Sequence, residues 1–264
     1  MWTEELFGTA KPIIALLHLD ALPGDPGFTS LSSAAEHAAE DLAALEEGGA
    51  DGVLIANETS LPYSPGSEGE TVMAMAYIIG LLKKSITVPF GVNVVLSPEE
   101  TIRLAAATGA AFARSAFSGA YSGEYGVHAA DFGRNVRLKY ALGRPELRLL
   151  CKVNPEGDAW LAPRSMDDVV GTLCAGGYAD ALCVSGPGAG QEASSAVIAE
   201  VRQRAEKLGV PVFCNTGCRR DNIADILAVC DGACVGTAFK SAGGRVDAGK
   251  VRAFMDAARN GRRP

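Results

Sequence analysis

Eight short apolar runs, spread along the whole chain and separated by helix-like stretches, constrain this sequence more than any other feature. The runs are Pro12–His18, Gly52–Asn57, Pro89–Val95, Ala110–Ser115, Leu147–Asn154, Asp180–Ser185, Pro211–Asn215 and Asp231–Gly236. Between them, Ser32–Glu47, Pro98–Thr108, Ser165–Ala175, Ser194–Leu208 and Arg219–Val229 carry helical periodicity. Strands that are nearly continuously apolar are buried on both faces, as in a parallel sheet covered by helices. Eight strand–helix units within 264 residues predict an α/β protein, a single (β/α)8 TIM barrel, with 1–264 as one domain.

The junctions repeat a pattern. Even-numbered strands follow Gly49-Ala50-Asp51-Gly52, Gly109-Ala110-Ala111, Gly177-Tyr178-Ala179-Asp180 and Asp231-Gly232-Ala233, where a glycine can end the preceding helix. Odd-numbered strands begin near Pro12, Pro89, Pro145 and Pro211, at positions that need no ladder donor. Two units match: Pro89-Phe90-Gly91-Val92-Asn93 and Pro211-Val212-Phe213-Cys214-Asn215 both place Asn four residues after Pro.

Charge and cysteine content exclude several functions. The net charge is −7, from 24 Lys+Arg against 31 Asp+Glu, which argues against a nucleic-acid partner. The one basic cluster, Arg259-Asn260-Gly261-Arg262-Arg263, reads as a frayed helix end. None of the seven Cys forms a C-x-x-C pair, and there are only three His, so neither a metal site nor a cofactor is expected. Cys151, Cys183, Cys214 and Cys234 lie in apolar runs and read as small buried hydrophobes in a reducing compartment. The start, Met1-Trp2-Thr3-Glu4-Glu5, is acidic where a signal peptide is basic. The longest apolar run, Val72–Leu82, falls short of the about 20 residues a membrane span needs, so no span and a cytoplasmic location are expected. That run sits in a helix expected over about Gly69–Lys84 and is apolar all round, which predicts a homo-oligomer through 72–82 that changes at Met75 or Ile79 should disrupt.

In such barrels the site lies where strands end. The ends are His18, Asn57-Glu58, Asn93, Arg114, Lys152 with Asn154, Ser185, Asn215-Thr216 and Gly236-Thr237, a ring of polarity above apolar strand bodies. Buried polar groups are costly unless paired, so this ring points to a site. Alternation puts Lys152 on the face of Leu150 and Asn154, where it can stabilise negative charge, carry a proton, form a Schiff base, or pair with Glu58. Arg114 shares a face with Phe112; its fork suits a carboxylate or phosphate, or a pair with Glu58 or Glu124. His18 and Glu58 are candidate proton carriers, and Asn93 completes the candidate catalytic set. Ser185, Gly186, Gly217, Gly236 and Thr237 are candidate phosphate contacts, because rim glycines let backbone amides approach an anion and a short helix near Thr237 would add its positive end. The stretch Phe117–Gly126, with two Tyr between glycines, suits a mobile lid. His128 is placed near the start of a helix and carries no assigned role.

Several of these segments together resemble the BtpA/SgcQ family. They are His18 with Leu22-Pro23-Gly24-x-Pro26, Gly91-Val92-Asn93-Val94, Arg114-x-x-Phe117-x-Gly119-Ala120, Ala179-Asp180-Ala181-Leu182-x-Val184-Ser185-Gly186 and Val235-Gly236-Thr237-x-Phe239-Lys240. The resemblance runs from about Lys11 to Ala257 and implies a ribulose-phosphate-binding type of barrel. It implies no single reaction, since the family takes its name from photosystem I biogenesis while SgcQ-like members resemble nucleosidases. The residues themselves point to an enzyme on a small phosphorylated sugar or related metabolite (isomerase, epimerase, lyase or nucleosidase-like hydrolase), the alternative being a non-catalytic assembly or regulatory protein that keeps the anion site. Three places depart from the family pattern: Asn57-Glu58 stands for Glu-Asn, leaving open which faces the site; Lys152-Val153 stands for Lys-His; and Leu96-Ser97-Pro98 stands for Arg-Asn-Asp.

Overall fold

A computed structural model describes residues 1–66, 69–188 and 190–262; Ala189 and Arg263 of the sequence patterns lie outside the described residues. The chain begins α1 (Trp2–Phe7), β1 (Ile13–His18), α2 (Leu31–Glu47), β2 (Gly52–Ala56), α3 (Gly69–Leu82), β3 (Phe90–Asn93), α4 (Pro98–Thr108) and β4 (Phe112–Ser115). It continues β5 (Gly119–Gly123), β6 (Gly126–Ala130), α5 (Phe132–Ala141), β7 (Arg148–Lys152), β8 (Asp158–Trp160), α6 (Met166–Cys174) and β9 (Ala181–Val184). It ends α7 (Ser195–Leu208), β10 (Val212–Cys214), α8 (Ile223–Val229), β11 (Gly232–Val235) and α9 (Ala248–Gly261).

All eight apolar runs become strands of one closed parallel barrel, in the order β1-β11-β10-β9-β7-β4-β3-β2. The expected TIM barrel is the observed fold. Its inward side chains form their own cluster: Ile14, Leu16, Leu54, Phe112, Leu150, Ala181, Cys183, Phe213 and Cys234, joined by Phe7. A larger apolar layer lies between strands and helices. The interior is filled by aromatic rings set against glycines. A Cβ on Gly91 would lie 2.2 Å from the Phe112 ring, and one on Gly52 2.6 Å from Phe7.

The short helix α1, not expected from the sequence, closes the N-terminal mouth. Phe7 meets Phe112 edge-on at 5.6 Å, Trp2 stacks on Phe213 at 6.4 Å, and Trp2 Nε1 donates to the Asp180 carbonyl at 3.0 Å. The Asp of the even-strand junctions has a structural task. Asp51, Asp180 and Asp231 accept from the amides of Ile13, Leu149 and Val212, at 2.7, 2.8 and 2.9 Å, each tying down the start of the preceding barrel strand. The basic tail is anchored rather than frayed, since Arg262 pairs with Asp51 and donates to the Lys11 carbonyl.

Three differences from expectation concern the surface. First, Phe117–Gly126 is no loose lid: β5 pairs antiparallel with β6 and with β8, giving a three-stranded sheet built from the connections that follow β4 and β7. Second, His128 lies on β6, ahead of α5. Third, α3 is two-faced: Met75 and Ile79 are fully buried in the core, while Met73, Tyr77 and Leu81 form the exposed stripe. Among the described residues no helix is long and apolar enough to cross a membrane. All seven cysteines are free and buried.

Candidate functional site

Strand alternation determines what the C-terminal mouth presents. Five barrel strands that bury an apolar side chain inside carry a polar residue two positions on: His18 after Leu16, Arg114 after Phe112, Lys152 after Leu150, Ser185 after Cys183, Asn215 after Phe213. Above them opens a cavity of about 670 Å³ whose lining includes His18, Glu58, Asn93, Arg114, Lys152, Glu156 and Asn215.

Arg114 is the centre of this layer, with its side chain 2% exposed. Its Nη2 donates to Glu58 Oε1 at 2.9 Å and to Asn93 Oδ1 at 3.0 Å; its Nη1 donates to Asn215 Oδ1 at 3.0 Å. The two asparagines of the matched Pro-to-Asn units therefore grip the same guanidinium, from strands four places apart around the barrel. Glu58, not Asn57, reaches the site; Asn57 instead accepts the Val95 amide at 2.8 Å.

Asn215 Nδ2 extends the network to Glu156 Oε1 at 2.6 Å and Ser185 Oγ at 3.0 Å, and the Ser185 hydroxyl donates to Glu156 Oε1 at 2.9 Å. Lys152 Nζ contacts Glu156 Oε2 at 2.8 Å, so its partner is Glu156 and not the expected Glu58. Two cations and two carboxylates are thus linked through amides. Breaking a buried pair by removing one partner costs about 3–5 kcal/mol.

The charges on these groups follow from their neighbours. Burial pushes Glu58 upward, but Arg114 and Lys152 outweigh it and hold the carboxyl below its ordinary range. Burial also opposes ionisation of Glu156; Lys152 and then Arg114 overcome it and bring the group down to about 2. For His18 burial prevails, Glu58 opposing, and the ring falls to about 4, so it is neutral near pH 7. Among the described residues nothing hydrogen-bonds its buried Nε2. Such an orphaned atom costs about 1–3 kcal/mol. Tyr63 donates to the Glu58 carbonyl at 2.8 Å, with Oε2 at 3.3 Å; burial and Glu58 push its hydroxyl up.

The five candidate phosphate contacts divide into two groups. Gly217, Gly236 and Thr237 line the cavity, and Thr237–Phe239 forms a single 3-10 turn. Ser185 and Gly186 lie behind it, with their amides already donating to Asn154 Oδ1 at 2.9 Å and Thr216 Oγ1 at 2.6 Å. Close packing of loops accounts for two of the glycines. A Cβ on Gly186 would lie 2.4 Å from the Gln191 carbonyl, and one on Gly217 2.3 Å from Glu192 Cα at a φ of +74°.

Sequence reasoning missed the residues carried by the loops. Glu156 lies four residues past Lys152 within Asn154-Pro155-Glu156-Gly157, which reads as a turn, and no sequence periodicity marks its contact with Lys152. The accessory sheet adds His128 and Asp158 to the lining, with His128 Nε2 3.3 Å from Asp158 Oδ2. Tyr63 and Tyr125 form an aromatic wall, with rings 5.0 Å apart.

A profile of the BtpA family matches residues 9–260. SgcQ, a protein of the sgc region of Escherichia coli K12, is 38% identical over 261 residues, covering 97% of this chain and 97% of its own. The photosystem I biogenesis protein BtpA of Synechocystis is 26% identical, covering 97% of this chain and 91% of its own. Among solved structures, Mycobacterium tuberculosis tryptophan synthase superposes with a TM-score of 0.62 at 16% identity, over 99% of this chain and 96% of that one. At that identity the likeness concerns the barrel alone. The family match over nearly the whole length, together with the relative at 38% identity, assigns the protein: it belongs to the BtpA family.

Proposed function

We propose that this protein is an enzyme that binds a small phosphorylated sugar or related metabolite at the C-terminal mouth of its barrel and moves a proton on it. One observation carries the reading: an ionised, buried Glu58–Arg114–Asn215–Glu156–Lys152 network forms the floor of a 670 Å³ cavity whose rim holds Gly217, Gly236 and Thr237. A fold that needed only stability would fill this floor with apolar side chains, since buried ion pairs are no better than hydrophobic packing of equal volume. Lys152, fixed by Glu156, supplies positive charge toward an oxyanion. Arg114 has its terminal nitrogens taken by protein acceptors and orients Glu58, Asn93 and Asn215. Glu58 and neutral His18 are the groups able to accept a proton. Gly217, Gly236 and Thr237 hold the phosphate, with Ser185 and Gly186 bracing that rim from behind. Isomerisation, epimerisation, elimination and glycosyl hydrolysis all use these parts.

The test is a thermal-shift panel of ribose 5-phosphate, ribulose 5-phosphate, adenosine 5′-monophosphate and inorganic phosphate on the wild type and Lys152→Ala. Binding raises the midpoint by mass action. The reading requires stabilisation by at least one phosphorylated compound, lost in the variant; a flat response across the panel overturns it.

A second reading rests on the exposed Met73, Tyr77 and Leu81 of α3: the protein is a homo-oligomer through this helix and serves as an assembly factor without catalysis. Tyr77→Asp then abolishes association in sedimentation while Lys152→Ala leaves it intact.

A further inference from the structure

The chain has three histidines, and two of them differ sharply from the third. His37 on α2 is satisfied, its Nδ1 2.5 Å from Asp20. His18 and His128 are not. Among the described residues, His18 Nε2 and both ring nitrogens of His128 are buried without a hydrogen-bond partner. Asp158 Oδ2 lies 3.3 Å from His128 Nε2, within ion-pair range but out of line for a hydrogen bond. Both rings line the same cavity, whereas His37 does not. Buried polar atoms in native structures are paired, so an unpaired one beside a cavity calls for a ligand atom.

Topology sets these rings on different sides of the cavity mouth. His18 ends β1. His128 lies on β6, in the connection after β4, three strands from β1 around the eight-stranded barrel, and Asp158 lies on β8, in the connection after β7, four strands from β1 in either direction. His18 occupies the space that the missing Cβ of Gly236 leaves, 3.1 Å from where that atom would stand, and His128 is held by stacking on Tyr121 with centroids 5.4 Å apart. Tyr121 is backed in turn by Trp160 at 4.5 Å.

We propose that His18 and His128 act on opposite sides of one bound keto-sugar phosphate, so that the reaction is inversion at a carbon beside a carbonyl. This rests on the reading of the site as a sugar-phosphate enzyme. Neutral His18 takes the carbon-bound proton. The C–H electron pair becomes the new C=C bond, and the carbonyl pair moves onto oxygen, where Lys152 faces it. The reverse flow of electrons takes a proton from the ring of His128, which lies 3.3 Å from Asp158 Oδ2, onto the other side of the same carbon. Nothing is oxidised or reduced, and the enzyme ends with its proton moved from His128 to His18, to be reset through water.

Three histidines make the test simple. Ring Cε1–H resonances of His18 and His128 are followed by NMR while ribose 5-phosphate, ribulose 5-phosphate, adenosine 5′-monophosphate and inorganic phosphate are titrated in, with His37 as the fixed reference. The proposal expects ribulose 5-phosphate to move His18 and His128 along one saturation curve. With that compound in D2O, the wild type exchanges a carbon-bound hydrogen, and His18→Gln and His128→Gln each slow the exchange by about 100-fold. A His18 that moves beside a stationary His128 overturns the two-sided assignment and leaves the sugar-phosphate reading standing. Movement of both rings without carbon-bound exchange overturns the proton-transfer assignment alone. A shift of His128 by inorganic phosphate alone makes it an anion contact and overturns the proposal. No movement by any compound, together with a flat thermal-shift panel, overturns both readings.

Discussion

The two mouths of the barrel are built from the same eight strands and treat the interior oppositely. At the N-terminal mouth, Trp2 and Phe7 of α1 press onto Phe213 and Phe112, and glycines at 52 and 91 make room for the rings. At the C-terminal mouth, two residues further along the same strands, the side chains are Arg114 and Asn215 and the space stays open. One end maximises apolar contact. The other holds paired charges around a void, an arrangement that stability alone does not favour. A single barrel thus separates its apolar plug from its polar cavity by about two residues of strand.

The largest effect expected on this division comes from Arg114→Met. It strands Glu58, Asn93 and Asn215, costs about 3–5 kcal/mol in urea unfolding, and abolishes any ligand-induced rise in melting temperature. Next is Phe7→Ala, which opens the plugged mouth, costs about 3 kcal/mol, and leaves the ligand response at its wild-type size. Loss of the ligand response in that variant would mean that the two ends are coupled, and the comparison would fail.

The smallest effect is on pH dependence. His18 falls from an ordinary 6.5 to about 4 through burial. The unfolded chain therefore binds this proton below 6.5 and the folded one only below about 4. The stability contributed by the neutral ring is whole above pH 6.5 and declines as the pH drops toward 4, by about 2 kcal/mol at pH 5. His18→Gln should flatten that slope, measured as melting temperature against pH. Phe7→Ala should leave the slope unchanged. Below that window Glu156 adds a second acid-sensitive step, lost as pH falls from 4.5 toward about 2, which His18→Gln leaves intact.

The barrel was legible because its strands are apolar on both faces and are punctuated by Gly, Asp and Pro. The helix Pro98–Thr108 matches the expectation to the residue, and the other helices given bounds from the sequence agree within a few, whereas α1, α5 and α9 were not delimited. Alternation marked Arg114 and Lys152 as facing inward, and position at strand ends marked His18 and Asn93, whereas the choice between Asn57 and Glu58 needed the structure. What escaped was whatever depended on loops meeting in space. The segments β5, β6 and β8 are short and rich in Gly and Ala, so neither period nor propensity marks them. Glu156 sits in a turn whose composition hides its contact with Lys152. For α3, uniform hydrophobicity gave no way to tell buried Met75 and Ile79 from exposed Met73 and Tyr77.

The accessory sheet has an evolutionary corollary. Because β8 adds as a third strand to the β5–β6 hairpin, two connections from neighbouring barrel strands are stitched by backbone hydrogen bonds into one panel. Swapping either connection alone would leave a raw edge over the cavity. The two segments must therefore be inherited, grafted or redesigned as a cassette, and the wall of the cavity changes in paired steps rather than loop by loop.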